Sequence, residues 1–168
     1  MIKYLATAIL MIAFSATMFG QAIASATASA RMVTPIAIAN ASDMDFGNIA
    51  VSTSAGTVVL ATAGTRSATG GVTLPATTGT VTAASFNVTG EGTYTYAITL
   101  PTTYTITETV GSVETMTVNT FTSDPSGTGA LTAGAQTLNV GATLNVAASQ
   151  LAGTYTNATG FDVTVNYN

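Results

Sequence analysis

Asp43 and Asp45 stand two residues apart, and Glu108 and Glu114 flank a turn at Gly111. In an extended chain, a spacing of two puts both carboxylates on one face. Two carboxylates can cleave a glycosidic bond as acid and base, or hold Ca²⁺. The surroundings argue against both. The dense alternating acids of a calcium loop are missing, and the seven acids fall singly near the ends of candidate strands. They read as surface charge that keeps the chain soluble. Gly90-Glu91-Gly92 is a turn and not a phosphate loop, since no Lys follows it. Tyr94, Tyr96, Tyr104, Tyr155 and Tyr167 could stack on sugar rings, but aromatics in strands are more often core or rim.

What the chain lacks excludes more. Among its 168 residues there is no His, no Cys and no Trp. No Ser-His-Asp or Cys-His nucleophile can be built, and no Cys/His zinc site, Fe–S cluster or His- or Cys-held haem. No cofactor and no metal site is expected, and the chain is not expected to be an enzyme. Only Lys3, Arg31 and Arg66 are basic, and the net charge is −4. A phosphate backbone needs several cations to displace its counterions, so nucleic acid is not expected as a partner.

The elements around these residues follow from composition. Charged residues make up 6% of the chain, against roughly 25% in an average soluble protein. Thr occurs 35 times, beside many Val and Ala. Thr and Val are β-branched and favour strands.

Residues 1–24 read as an export signal. Lys3 supplies the positive start, Leu5 to Gly20 is apolar and uncharged, and Ala22-Ile23-Ala24 offers small residues at −3 and −1. Cleavage is expected between Ala24 and Ser25, with Ala24-Ser25-Ala26 and Ala28-Ser29-Ala30 as competing sites. The apolar stretch is short for a membrane span of about 20 residues. A mature chain of 144 residues can bury enough surface to fold without disulfides.

Beyond the signal, apolar residues alternate with Thr, Asn and Ser. Tyr94, Tyr96, Ile98 and Leu100 share one face of a strand that Pro101 ends. Further strands are expected at 35–39, 45–51, 57–62, 71–74, 84–89, 104–107, 113–122, 136–140, 143–148 and 161–167. Gly-rich and Asp-Pro-Ser-Gly turns separate them. Short strands at this spacing predict an all-β sandwich or barrel.

The chain ends carry the most regular stripes. Met32, Thr34, Ile36 and Ile38 alternate on one face near the mature start. Phe161, Val163, Val165 and Tyr167 do the same at the C-terminus, up to the penultimate residue. The C-terminal stripe is either an ordinary last strand or one that also pairs with a neighbour by edge addition.

Several segments together resemble a family of exported bacterial surface proteins, domain of unknown function 4402, and more distantly spore-coat-U-type subunits of chaperone–usher pili. They are Pro35-Ile36-Ala37-Ile38, Met44-Asp45-Phe46-Gly47-Asn48-Ile49, Phe86-Asn87-Val88-Thr89-Gly90 and Tyr94-Thr95-Tyr96-Ala97-Ile98-Thr99-Leu100-Pro101. Val140-Gly141-Ala142-Thr143-Leu144, Gly153-Thr154-Tyr155 and Phe161-Asp162-Val163-Thr164-Val165-Asn166-Tyr167 complete the set. The resemblance implies an immunoglobulin-like, pilin-like β-sandwich on the cell surface, here without disulfides. In a bacterial protein, the N-glycosylation patterns Asn87-Val88-Thr89 and Asn157-Ala158-Thr159 carry little meaning.

The resemblance also implies a function. The chain is expected to be a structural subunit of a surface fibre that polymerises by lending a strand to its neighbour. The alternative is a monomeric surface adhesin or glycan-binding module. Residues 25–39 would be the N-terminal extension and residues 40–168 the sandwich domain. Met32, Thr34, Ile36 and Ile38 would be the donor strand; Phe161, Val163, Val165 and Tyr167 would line the acceptor. Should Ile36 and Ile38 belong to the domain's own first strand, the donor would be the Ala-rich segment Ser25–Val33. Partners would be identical or related subunits, with a periplasmic chaperone and an outer-membrane usher.

Overall fold

The computed structural model describes residues 20–111 and 114–168. The expected signal lies outside them up to residue 19, and so does Val113, the start of one expected strand. Residues 20–32 are exposed and hold no regular structure. Val33–Asn168 is a compact unit by itself and carries every strand found among the described residues.

The architecture is all-β, with no helix among the described residues. The strands are β1 (Ala37–Ser42), β2 (Ala50–Leu60), β3 (Arg66–Thr73), β4 (Ala84–Thr89), β5 (Thr95–Thr99), β6 (Thr103–Glu108), β7 (Thr115–Asp124), β8 (Thr128–Ala130), β9 (Ala135–Val146), β10 (Tyr155–Thr156) and β11 (Thr164–Tyr167). β11, β5 and β8 form a three-stranded sheet, and the other eight strands form the second sheet.

β9 is the spine of the larger sheet. On one edge it pairs first with β4 (Ala84 opposite Val140) and then with β2 (Leu60 opposite Ala142). On the other edge β7 pairs with β9 from Asn139 to Asn145, followed outward by β6 and β10. The changeover from β4 to β2 falls at Gly141. A side chain there would strike the Leu60 carbonyl and the backbone of Ala61 and Thr62, so only Gly lets the two strands meet on one edge. Sequence reasoning breaks this strand in two at Gly141, treating it as a turn; it is instead a close backbone approach.

β7 carries the second irregularity. Its register against β9 shifts between Asn119 and Thr122, and Thr120 sits at φ 48, in the left-handed region. This bulge flips the alternation of the strand. Met116 and Val118 face inward before it, Phe121 after it.

Two core clusters result. One gathers Phe46, Val58, Leu60, Val72, Val118, Ala142, Leu144 and Val146. The other gathers Ala84, Val88, Tyr96, Leu131, Leu138, Val140 and Val165, and it lies between β4 and β9 of one sheet and β5, β8 and β11 of the other. Met44 and Phe121 pack against both. The three-stranded sheet contributes no buried residue to the first cluster. That cluster is closed instead by the Met44–Ile49 connection and by β3.

Candidate functional site

The partial lid leaves a groove of about 1130 Å³ over the inner face of β6, β7 and β9. Its floor is Tyr104, Ile106, Met116, Val118, Leu144 and Val146. One wall is the segment from Asn40 to Val51, the other the loop from Gln150 to Phe161. The floor side chains follow from alternation: Tyr104 stands opposite Val118, which stands opposite Leu144. Ile106, opposite Met116, is the next inward row.

Each wall is fixed by a polar device. In the first wall, Asp45 Oδ1 accepts a 2.7 Å bond from the Gly47 amide and turns the chain after buried Phe46. Gly47 takes φ 68, and a side chain there would press on the Thr78 and Thr80 carbonyls. The Arg66 guanidinium donates to the carbonyls of Phe46, Asn48 (2.8 Å) and Thr78 (3.2 Å). Thus the Met44-Asp45-Phe46-Gly47-Asn48 segment is a strapped connection and not the strand expected over 45–51. In the second wall, buried Gln150 donates to Glu114 Oε2 (2.9 Å) and to the Tyr155 hydroxyl (3.1 Å), which itself donates to the Leu151 carbonyl. The Tyr104 hydroxyl donates to the Asn157 carbonyl at 2.8 Å. Burial raises the pKa of Tyr104, and a backbone bond from Gly160 partly offsets this.

Phe161 closes one end of the groove. Its ring centroid lies 5.1 Å from Phe121, 5.7 Å from Tyr104 and 6.3 Å from Phe86. The contacts with Tyr104 and Phe86 are edge-on, the arrangement the ring quadrupole favours.

The expected acceptor residues form one face. Phe161, Val163 and Tyr167 pack on the second core cluster and Val165 is part of it, while Asp162, Thr164 and Asn166 point to solvent. Only Phe161 reaches the groove. Of the expected donor residues, Ile36 and Ile38 pack on that same cluster within their own domain. Ile38 lies in β1, which pairs with β4. The boundary expected at residue 39–40 therefore falls inside a strand. Thr34 is held at its domain by both backbone groups: its amide donates to Glu91 Oε2 (3.1 Å), and its carbonyl accepts from the Tyr167 hydroxyl (2.8 Å). Met32 is 87% exposed. Ala24 and Ser25 are exposed and outside any strand.

The acids are occupied locally. Glu108 is buried, and its Oε1 accepts from the Val110 amide at 2.9 Å, closing the turn between β6 and β7. Glu114 holds Gln150, and Asp43 Oδ1 accepts from the Asn40 amide group at 2.6 Å. Among the described residues no three His, Cys, Asp or Glu gather as metal ligands. The sequence names the groove's aromatics but gives no sign that Gln150, which follows Ser149 and precedes Leu151, would organise one wall.

No curated protein and no solved structure matches the chain. A family model, the domain of unknown function DUF4402, matches residues 36–167. That span begins at Ile36, the first residue packed on the core, and ends at Tyr167, whose hydroxyl holds the chain just before it. The chain belongs to the DUF4402 family.

Proposed function

We propose that the protein is an exported, non-catalytic subunit of a bacterial surface fibre, built on an immunoglobulin-like sandwich. In this reading one copy completes the core of the next with a strand. The observation that carries the reading is the groove over Tyr104, Ile106, Met116, Val118, Leu144 and Val146. It is an opening floored by core residues, and the second sheet is too short to cover it. An added strand would cover what Tyr104, Ile106 and Met116 still expose, at roughly 25 cal/mol for each Å² of apolar surface removed from water, while Val118, Leu144 and Val146 are already buried. The exposed segment Ser25–Val33 suits the donor role better than Ile36 and Ile38, which already serve their own core. Its alternation puts Ala26, Ala28, Ala30 and Met32 on one face. Alanines on that face let the donor backbone lie close over large floor side chains. A head-to-tail contact of this kind does not close, so it builds a filament.

The test is electron microscopy of cells with and without the protein. Loss of fibres on deletion supports the subunit. Loss of adhesion with fibres intact would support the monomeric adhesin instead.

A further inference from the structure

The inward row of β6 ends in an acid. Tyr104, Ile106 and Glu108 follow one another at a spacing of two, so this edge of the floor runs aromatic, aliphatic, carboxylate. Glu108 is only 7% exposed. Its Oε1 accepts from the Val110 amide, and among the described residues no hydrogen bond reaches its Oε2. Glycines leave room around it. A Cβ at Gly153 would lie 2.8 Å from Oε1, and one at Gly111 would lie 3.7 Å from Oε2. The carboxylate lines a cavity of about 440 Å³ that shares residues 151–154 with the groove. Val110 and Leu151 line the same cavity and are 81% and 55% exposed. A buried carboxylate with a single hydrogen bond is costly to keep out of water, and a cation on its open oxygen offsets that cost.

A second copy can bring one such cation. The cleavage expected between Ala24 and Ser25 leaves two arginines and no lysine. Arg66 is spent on the Phe46, Asn48 and Thr78 carbonyls, and Arg31 also has a partner in its own chain. Cleavage itself makes the third cation, the α-ammonium of Ser25. It has three N–H donors, is protonated at neutral pH and stands at the tip of the exposed segment.

We propose that the Ser25 α-ammonium of one copy docks on the Glu108 carboxylate of the next. This rests on the donor reading above and adds the direction and starting point of the inserted strand. Ser25 sits at the Glu108 end of the floor and the segment leads out past Tyr104, antiparallel to β6. Glu108 and Tyr104 are four strand residues apart, about 13 Å. Ala26 and Ala28, two residues apart on the floor-facing side, then come over Ile106 and Tyr104. An alternating Ala and Ser/Thr strand reads much the same both ways, so the charged end is what tells the two directions apart. In the precursor this nitrogen is a neutral amide with the signal still attached, so assembly follows cleavage.

The test uses the full mature chain beginning at Ser25, with assembly followed by sedimentation and electron microscopy. Lys3 leaves with the signal, so the α-amine is the one amine of this chain. An acetylating reagent at neutral pH therefore neutralises that group selectively. Acetylation is expected to raise the concentration needed for assembly roughly tenfold, the scale of one hydrogen bond to a charged group. Glu108→Gln keeps the shape and an acceptor for the Val110 amide, and it is expected to do the same. Acetylated Glu108→Gln is expected to be no worse than either change alone. Thermal unfolding of each unassembled variant controls for folding, and acetylation leaves the domain untouched should Glu108→Gln unfold it. A carbodiimide joins an amine to a carboxylate in contact with it, so digestion of treated fibres should release Ser25 linked to Glu108 of another copy. A Ser25 link to Asp43 or Asp45 instead, or assembly unaffected by both acetylation and Glu108→Gln, overturns the docking while leaving the donor reading intact. Absence of any assembly by the unaltered chain overturns both.

Discussion

The Tyr167 hydroxyl donates to the Thr34 carbonyl at 2.8 Å and joins residues 133 positions apart in the chain. The same hydroxyl accepts from the Glu91 amide at 2.6 Å, while the Glu91 carboxylate accepts from the Thr34 amide. The Tyr167 ring packs edge-on against Tyr94, 5.5 Å away. A Cβ at Gly90 would overlap the Tyr167 hydroxyl, so the turn before Glu91 must be glycine for the tyrosine to seat. The penultimate residue thus fixes the point at which the N-terminal segment leaves the domain.

Tyr167→Phe keeps the ring and removes both hydroxyl bonds. Each such bond contributes roughly 1 kcal/mol net. The midpoint of thermal unfolding should fall by a few degrees. The N-terminal segment should also become more sensitive to protease at residues 32–35. An unchanged midpoint and cleavage pattern would show that the clamp holds nothing.

Ile36→Asp and Val165→Asp test where the N-terminal segment ends and the domain begins. Both side chains pack on the same core cluster. Burying an unpaired carboxylate there is severe at either site, so both substitutions should lower the yield of folded domain, Val165→Asp more because it is the more buried. Ala28→Asp lies in the exposed segment and should leave the unfolding midpoint unchanged while preventing assembly. A fully folded Ile36→Asp monomer that cannot assemble would return Ile36 to the donor.

How far the sequence could be read follows from where alternation is regular. The stripe from Phe161 to Tyr167 and the face of Tyr96 and Ile98 are legible because period two continues without a break. The irregular places mislead. At Thr120 the bulge flips which residues of β7 face inward, and a strict period then assigns Phe121 to solvent. Gly141 looks like a turn but is a crossing of strands. β8 and β10 are three and two residues long, too short to carry a pattern. The groove itself is a property of sheet size. Its floor reads as ordinary core, and no local signal says that the opposite sheet stops short of it.

Gly129→Ala probes the tightest packing in the smaller sheet. A Cβ there would overlap the ring and hydroxyl of Tyr96. Tyr96 is fully buried and donates a 2.8 Å bond to Gln136 Oε1, which also accepts from the Ala130 amide. The ring cannot move without breaking that bond. Overpacking of this kind costs about 1–3 kcal/mol, and the upper end is expected here. Chemical denaturation should show a lower midpoint with an unchanged slope.

Alkaline pH should destabilise the domain. Burial raises the pKa of Tyr96 and of Tyr104 above the ordinary phenol value near 10. A raised value in the folded state means that the unfolded chain gives up these protons first. The stability linked to them is therefore complete below about pH 10 and is lost as pH rises through the folded values. Ultraviolet titration should show a late-ionising component, Tyr96 and Tyr104, that appears together with loss of β-sheet signal. Titration of all tyrosines near pH 10 with the fold intact would contradict this.

Phe161→Ala separates the role of the aromatic ring in the fold from its role at the groove. The ring touches Phe86 on β4, Tyr104 on β6 and Phe121 on β7, so one side chain ties the C-terminal segment to three strands of the larger sheet. Truncating a buried Phe costs about 3–5 kcal/mol, and a half-buried one less, so about 2–3 kcal/mol is expected. Phe161→Leu keeps most of the volume and should lose less than about 1.5 kcal/mol. Both variants lengthen the groove at one end, and of its floor only Tyr104 loses a ring contact. If the groove receives a strand, Phe161→Leu should fold and still assemble, whereas Phe161→Ala should assemble only at temperatures where its domain is folded. Assembly of Phe161→Ala that fails even at such temperatures would mean that the ring contacts the incoming strand directly and belongs to the interface as well as to the core.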